Sequence, residues 1–269
     1  MEQELTTRFN TYYNSFKNLS EKDSKNFEIK KEHSFRVADL AIMLANELNR
    51  NDDEKRLAYF IGLFHDIGRF PQLSKFGTFH DAKSVDHAEY SVKVLDETGI
   101  IKLVGIENEK IIKTAILNHN KFKIEKRLSE KEFLHSKILR DADKLDILKV
   151  LTDYYTINNL SPNHTLTWEL PAGQEVSKPV SKEILAGKLV SKKNVVSEMD
   201  VKIMQMSWVF DLNFKVSFEY LLQKRFIEKI YNSLPKNDLV IEIYKQVKIY
   251  AGNKRLADAK NNSCFNIKT

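Results

Sequence analysis

Apolar residues recur along this chain at the three- and four-residue spacing of helices, and alternating segments are few. From His33 to Asn49 the positions Val37, Leu40, Ala41, Leu44, Ala45 and Leu48 form one stripe, which predicts a helix burying that face. Leu57, Phe60, Ile61 and Phe64 share a face in a second helix predicted over Asp53 to Ile67, with Gly68 in the left-handed position that closes it. Arg69 to Val85 contains Pro71, Ser74, Gly77, Thr78 and Ser84 and is expected to be a long loop, the kind that tends to carry function inside a compact domain. Helical spacing returns with His87, Tyr90, Ser91, Val94 and Leu95, and again with Ile112, Ala115, Ile116 and His119. A further helix over Glu130 to Tyr154 carries Leu139, Asp143, Ile147 and Val150 on one face. Thr156 to Ala186 has no period and is expected to be an irregular excursion or lid, followed by helices over Ser197 to Ser233 and Asn237 to Ala251. The pattern predicts an all-α protein. Residues 1–155 would form a helical core, and the lid-like segment and C-terminal helices of residues 156–269 would pack on it as one compact unit.

Composition narrows the class. With 269 residues, 42% of them hydrophobic and 30% charged, the chain can bury a sizeable core without disulfides, and none can form within it because Cys264 is its one cysteine. It starts Met1-Glu2-Gln3-Glu4, with neither the basic nor the apolar region of a signal peptide, and no apolar run approaches a membrane span. A cytoplasmic protein with no membrane association is expected. Lys and Arg number 43 against 37 Asp and Glu, a formal +6. With the lysines scattered along the chain, this mild excess reads as solubility and does not favour a nucleic-acid partner.

Four of the seven histidines, His33, His65, His87 and His119, stand at ends of apolar stripes on four different predicted helices. One such histidine is more often a satisfied core residue. Four of them, joined by Asp66 and Asp143 at similarly inward positions, would make a costly core unless something compensates the buried charge and lone pairs. A divalent metal compensates both. Imidazole and carboxylate ligands suit Mn, Fe, Co or Ni ahead of Mg, with Zn also accommodated, while the lack of a thiolate ligand argues against a structural zinc site. Six ligands exceed the needs of one ion that keeps positions open, and two ions sharing a carboxylate fit the count better.

The order His33, then His65-Asp66, then Asp143 resembles the H…HD…D signature of the HD-domain superfamily of metal-dependent phosphohydrolases. HDIGRF at 65–70, the later His87 and His119, and DADKLD at 141–146 extend the likeness over about residues 30–155. The stretch Gly77-Thr78-Phe79-His80-Asp81-Ala82-Lys83-Ser84-Val85-Asp86-His87-Ala88-Glu89 resembles bacterial members in particular. The resemblance implies an HD-domain-like helical bundle with an extra C-terminal helical part. It makes His33, His65, Asp66 and Asp143 ligands of one ion, with Asp66 bridging to a second ion bound by His87 and His119. Asn120 stands where some signalling members have a second consecutive histidine, and no GYP motif occurs, which departs from the cyclic-di-GMP phosphodiesterase pattern.

The chemistry implied is attack of metal-activated water on phosphorus. Arg69, directly after HDIG, and Lys144, directly after Asp143, are placed to grip phosphate oxygens, although each could equally be a surface charge. His80 and Asp81 could bind the substrate, His80 also as proton donor to a leaving group. Asp141 and Asp146 could orient ligand histidines. His135 and His164 are read as structural, and Trp168 as either buried or stacking on a base. The expected substrate is a small phosphorylated molecule, a nucleotide foremost, with one or two ions per chain. The alternatives are a mixed-valent di-iron oxygenase of the same fold and a non-catalytic nucleotide sensor; oligomeric state stays open, a dimer included.

Overall fold

The computed structural model describes residues 2–156 and 170–262, and every regular element among them is helical. His164, Trp168 and Cys264 lie outside the described residues. The chain divides into two compact units, Met1–Asp146 and Ile147–Thr269. No described helix is long and apolar enough to cross a membrane.

The first unit contains α1 (Glu2–Tyr13), α2 (Glu21–Glu47), α3 (Asp52–Phe64), α4 (Arg69–Phe76), α5 (His87–Glu97), α6 (Ile106–His119) and the first part of α7 (Glu130–Thr156). Helix starts follow local chemistry. Ser20 Oγ accepts the Asp23 N–H, Asn51 Oδ1 accepts the Glu54 N–H, and Asp86 Oδ1 accepts the N–H groups of Ala88 and Glu89, each satisfying donors that a helix start leaves without partners. The apolar stripe of α2 lies against α3, and α3 touches α1 and α6. Gly62 permits the α2–α3 crossing, since a Cβ there would stand 2.7 Å from Ala38 Cα. Phe9 meets Phe35, Phe64 and Phe70 edge-on, and Phe27 lies 5.1 Å from Phe70. Each fully buried ring of this cluster contributes roughly 2–3 kcal/mol over its exposed state.

Two local expectations change in this unit. Arg69–Phe76 is a helix rather than loop, because Pro71 falls in its first turn, where a missing N–H costs nothing. The loop proper runs from Gly77 to Asp86, with a 3₁₀ turn at Asp81–Lys83. Gly68 is not left-handed (φ −68°). What it provides is close approach, since a Cβ there would lie 2.4 Å from Ser91 N and 2.8 Å from His87 O, so the start of α4 rests on the first turn of α5.

The second unit contains α8 (Lys178–Leu185), α9 (Glu198–Ser207), α10 (Lys215–Gln223), α11 (Phe226–Asn232) and α12 (Asp238–Asn262), after the end of α7. Helix α8 occupies part of the expected irregular excursion, again with its proline, Pro179, in the first turn. The single helix expected over Ser197–Ser233 is broken. Helix α9 tightens into a 3₁₀ turn at Trp208–Asp211, Leu212 and Phe214 are extended, and Arg225 adopts left-handed φ (57°) between α10 and α11. Helix α12 packs against α8, α10 and α11, and buries Val240, Ile243, Val247 and Ala251.

Candidate metal centre

Five stretches of the first unit converge. His33 comes from the middle of α2, His65 and Asp66 from the turn after α3, His87 from the first turn of α5, His119 from the last turn of α6, and Asp143 from α7. All but Asp143 are buried, and Asp143 is nearly so.

Each imidazole has its Nδ1 engaged outside the cluster. His33 Nδ1 bonds Asp146 Oδ2 (2.7 Å), His65 Nδ1 bonds Gly62 O (2.8 Å), His87 Nδ1 bonds Asp81 Oδ2 (2.6 Å) and His119 Nδ1 bonds Ile116 O (2.6 Å). All four partners are acceptors, so Nδ1 carries the proton and Nε2 turns its lone pair inward. The two oxygens of Asp66 face opposite ways. Oδ2 lies 3.7 Å from the Nε2 atoms of both His33 and His65, while Oδ1 lies 3.7 Å from His87 Nε2 and 3.8 Å from His119 Nε2. Asp143 Oδ1 closes the first side, 3.2 Å from His33 Nε2 and 3.7 Å from His65 Nε2. Two triplets, His33/His65/Asp143 and His65/Asp66/His119, each have donor atoms within 4.8 Å of one another.

This donor set fits a divalent ion on its own chemistry. His33 Nε2, His65 Nε2 and Asp66 Oδ1 are buried without a hydrogen-bond partner, and His87 Nε2 and His119 Nε2 approach to 3.0 Å. Two lone pairs facing each other at that distance repel, and a cation between the groups removes the conflict. Residues 31–148 match the family model of the HD domain. These residues, somewhat under half of the chain, form an HD domain. Neither a curated protein nor a solved structure matches the chain.

The electrostatics of the HD domain favour metal-ready protonation states. Burial alone would raise Asp66, yet Lys30, followed by His65, Arg69 and His87, holds it well below the ordinary carboxylate range. Asp143 is likewise held low against burial by His33 and His65. Burial and then His87 and His65 push His119 well below the usual imidazole value, and burial with Arg69 lowers His87. His33 is the exception. Burial and Lys30 work against its charged form, but Asp143 and Asp146 hold it above its ordinary value, so a proton competes with metal there.

The other residues singled out from sequence divide by location. Asp146 orients His33 and is itself gripped by Arg36, through Nε at 2.6 Å and Nη2 at 3.0 Å. Asp81 is drawn onto His87. Arg69 Nη1 donates to Gln72 Oε1, Phe79 O and Asp81 Oδ1, while its Nε stands 3.6 Å from Asp66 Oδ1. His80 is exposed on the loop. Lys144 is half-buried and Asp141 fully buried on α7, both engaged with neighbours. Asn120 donates to Asp86 Oδ2.

Several residues escaped the sequence reading, Arg36 and Arg140 among them. Lys30 Nζ lies 2.8 Å from Asp66 Oδ2, and its place one helical turn before His33 on the same face of α2 is the signal that could have revealed it. Buried Gln72 donates through Nε2 to Asp81 Oδ1, Ser84 Oγ and Val85 O, and so holds the loop that carries Asp81. No feature of the sequence marks it.

Proposed function

We propose that this HD domain hydrolyses a phosphoester or phosphoanhydride of a nucleotide or related small molecule. The observation that carries the reading is the placement of Asp66, whose two oxygens face the His33/His65 pair and the His87/His119 pair from one carboxylate. His33, His65 and Asp143 would hold one ion, His87 and His119 the other, and Asp66 both. Such a pair of divalent ions supplies hydroxide from water at neutral pH and neutralises charge on phosphate oxygens.

The remaining residues have tasks that follow from their contacts. Asp146 and Asp81 keep His33 and His87 in the tautomer that presents Nε2. Lys30 and Arg69 place positive charge beside Asp66, which suits a polyanionic substrate. Lys144, beside Asp143, is assigned to the phosphate, and exposed His80 to the leaving group or nucleoside.

Metal analysis of the purified chain, paired with anaerobic phosphate and pyrophosphate release from a nucleotide panel with added Mn or Co, tests this. About two ions per chain with phosphate release is the expected result. Two irons with oxygen consumption and no phosphate release would assign the chain to the oxygenases. Nucleotide binding without turnover would make it a sensor, and absence of bound metal would overturn the reading.

A further inference from the structure

His119 occupies the last turn of α6, and the end of that helix is buried. Helix ends leave carbonyls without donors from their own backbone, and a buried end must find donors elsewhere. Here the donor is Arg140 on α7. Its Nη1 donates to Asn118 O at 2.8 Å, to Lys121 O at 2.6 Å and, at the long distance of 3.3 Å, to His119 O. Arg140 is only 1% exposed and heads the largest fully buried side chains among the described residues. A guanidinium also suits the negative end of the α6 dipole, and all three contacts come from Nη1, at the tip of a side chain longer than that of lysine.

Two further details tie this clamp to the metal centre. His119 spends Nδ1 on Ile116 O within the same turn, so the direction of its Nε2 follows the backbone that Arg140 grips. Arg140 also stands one turn before Asp143 on α7. One rigid helix therefore carries a carboxylate of the His33/His65 half and the clamp on the His119 half. Resting on the two-ion reading above, we infer that Arg140 is a positioning residue that fixes His119 relative to Asp143 and so sets the second ion site.

Titration of the metal-stripped protein with Mn(II), followed by electron paramagnetic resonance, tests the assignment. Wild type is expected to bind two Mn(II) per chain with a spectrum broadened by coupling through Asp66. Arg140→Met, checked for folding by circular dichroism, is expected to bind one and to show the isolated six-line signal, as His119→Ala does. If Arg140→Met does not fold, Arg140→Lys decides: the second Mn(II) should bind at least about tenfold more weakly and the first unchanged. A folded Arg140→Met with two coupled ions, or an Arg140→Lys that weakens both ions equally or neither, overturns the role of Arg140 alone. A wild type that binds a single Mn(II) removes the two-ion reading, and this assignment with it.

Discussion

Met1–Asp146 holds 25 Lys and Arg against 25 Asp and Glu, whereas Ile147–Thr269 holds 18 against 12 and carries the whole excess of +6. The neutral unit is the one that buries its ionisable groups. His33, His65, Asp66, His87, His119, Arg140, Asp141 and Asp146 are all under 9% exposed there. Among the described residues of the second unit, the buried ionisable side chain is Asp200, whose carboxylate accepts the N–H groups of Ser177 and Val196 and serves local turns. Buried charge is costly unless it is paired, hydrogen-bonded or ligated. The first unit gathers four buried imidazoles around one carboxylate, a donor set that suits an ion, while a unit that keeps such groups outside has an ordinary apolar core. The charge excess that looked scattered along the sequence is thus confined to one unit.

The sharpest way to break this contrast is Asp66→Ala. It should abolish phosphate release and remove both ions, and an unchanged rate or full metal content would show that the buried cluster is not the working site. The next largest effect concerns His135, which the first unit also buries but does not bring to the cluster. It is 1% exposed, neither ring nitrogen has a hydrogen bond, and burial, with Lys131 and Arg50, pushes its pKa down to about 4. Its folded value lies below its unfolded one, so the unfolded chain binds the extra proton first and stability falls as pH drops from about 6.5 to about 4. Between pH 7 and 4.5, denaturant melts should show wild type losing about 2.5 kcal/mol more than His135→Phe. Equal losses would remove His135 as an acid-labile point.

A smaller change is expected for Asp146→Asn, which keeps the shape but loses the charge that orients His33 and grips Arg36. Metal affinity of the His33 half should fall about 10- to 100-fold, as read by competition with a chelator. Unaltered affinity would mean that His33 needs no orienting partner. The smallest effect belongs to the second unit. Lys178→Glu with Lys182→Glu, both exposed on α8, should shift stability by no more than about 0.5 kcal/mol and leave metal content alone. Loss of metal in that variant would dissolve the distinction between the units.

The helical class and the approximate places of α2, α3, α5, α6 and α7 were legible because apolar residues repeat with the period of a helix. His33, His65, His87 and His119 stood out because each interrupts that apolar stripe at one end. Short elements were less legible. Pro71 and Pro179 looked like breakers and proved to be first-turn residues, and nothing in the apolar period of Ser197–Ser233 signals the left-handed Arg225. Asp146 could be suspected from its spacing to Asp143. Lys30, Gln72 and Arg140 could not be assigned their contacts, because those partners lie 9 to 36 residues away along the chain.

By itself, then, the sequence determined the helical class, the long amphipathic helices and the inward histidines that end their stripes, since all follow from a local period of about 3.6 residues. Only the tertiary structure decided that four Nε2 atoms converge on the two oxygens of Asp66. It also decided that Asp81 serves His87 and that Arg140 holds the end of α6. Those facts depend on how helices cross and where their ends are buried, and the packing that sets them is made by residues far apart in the chain.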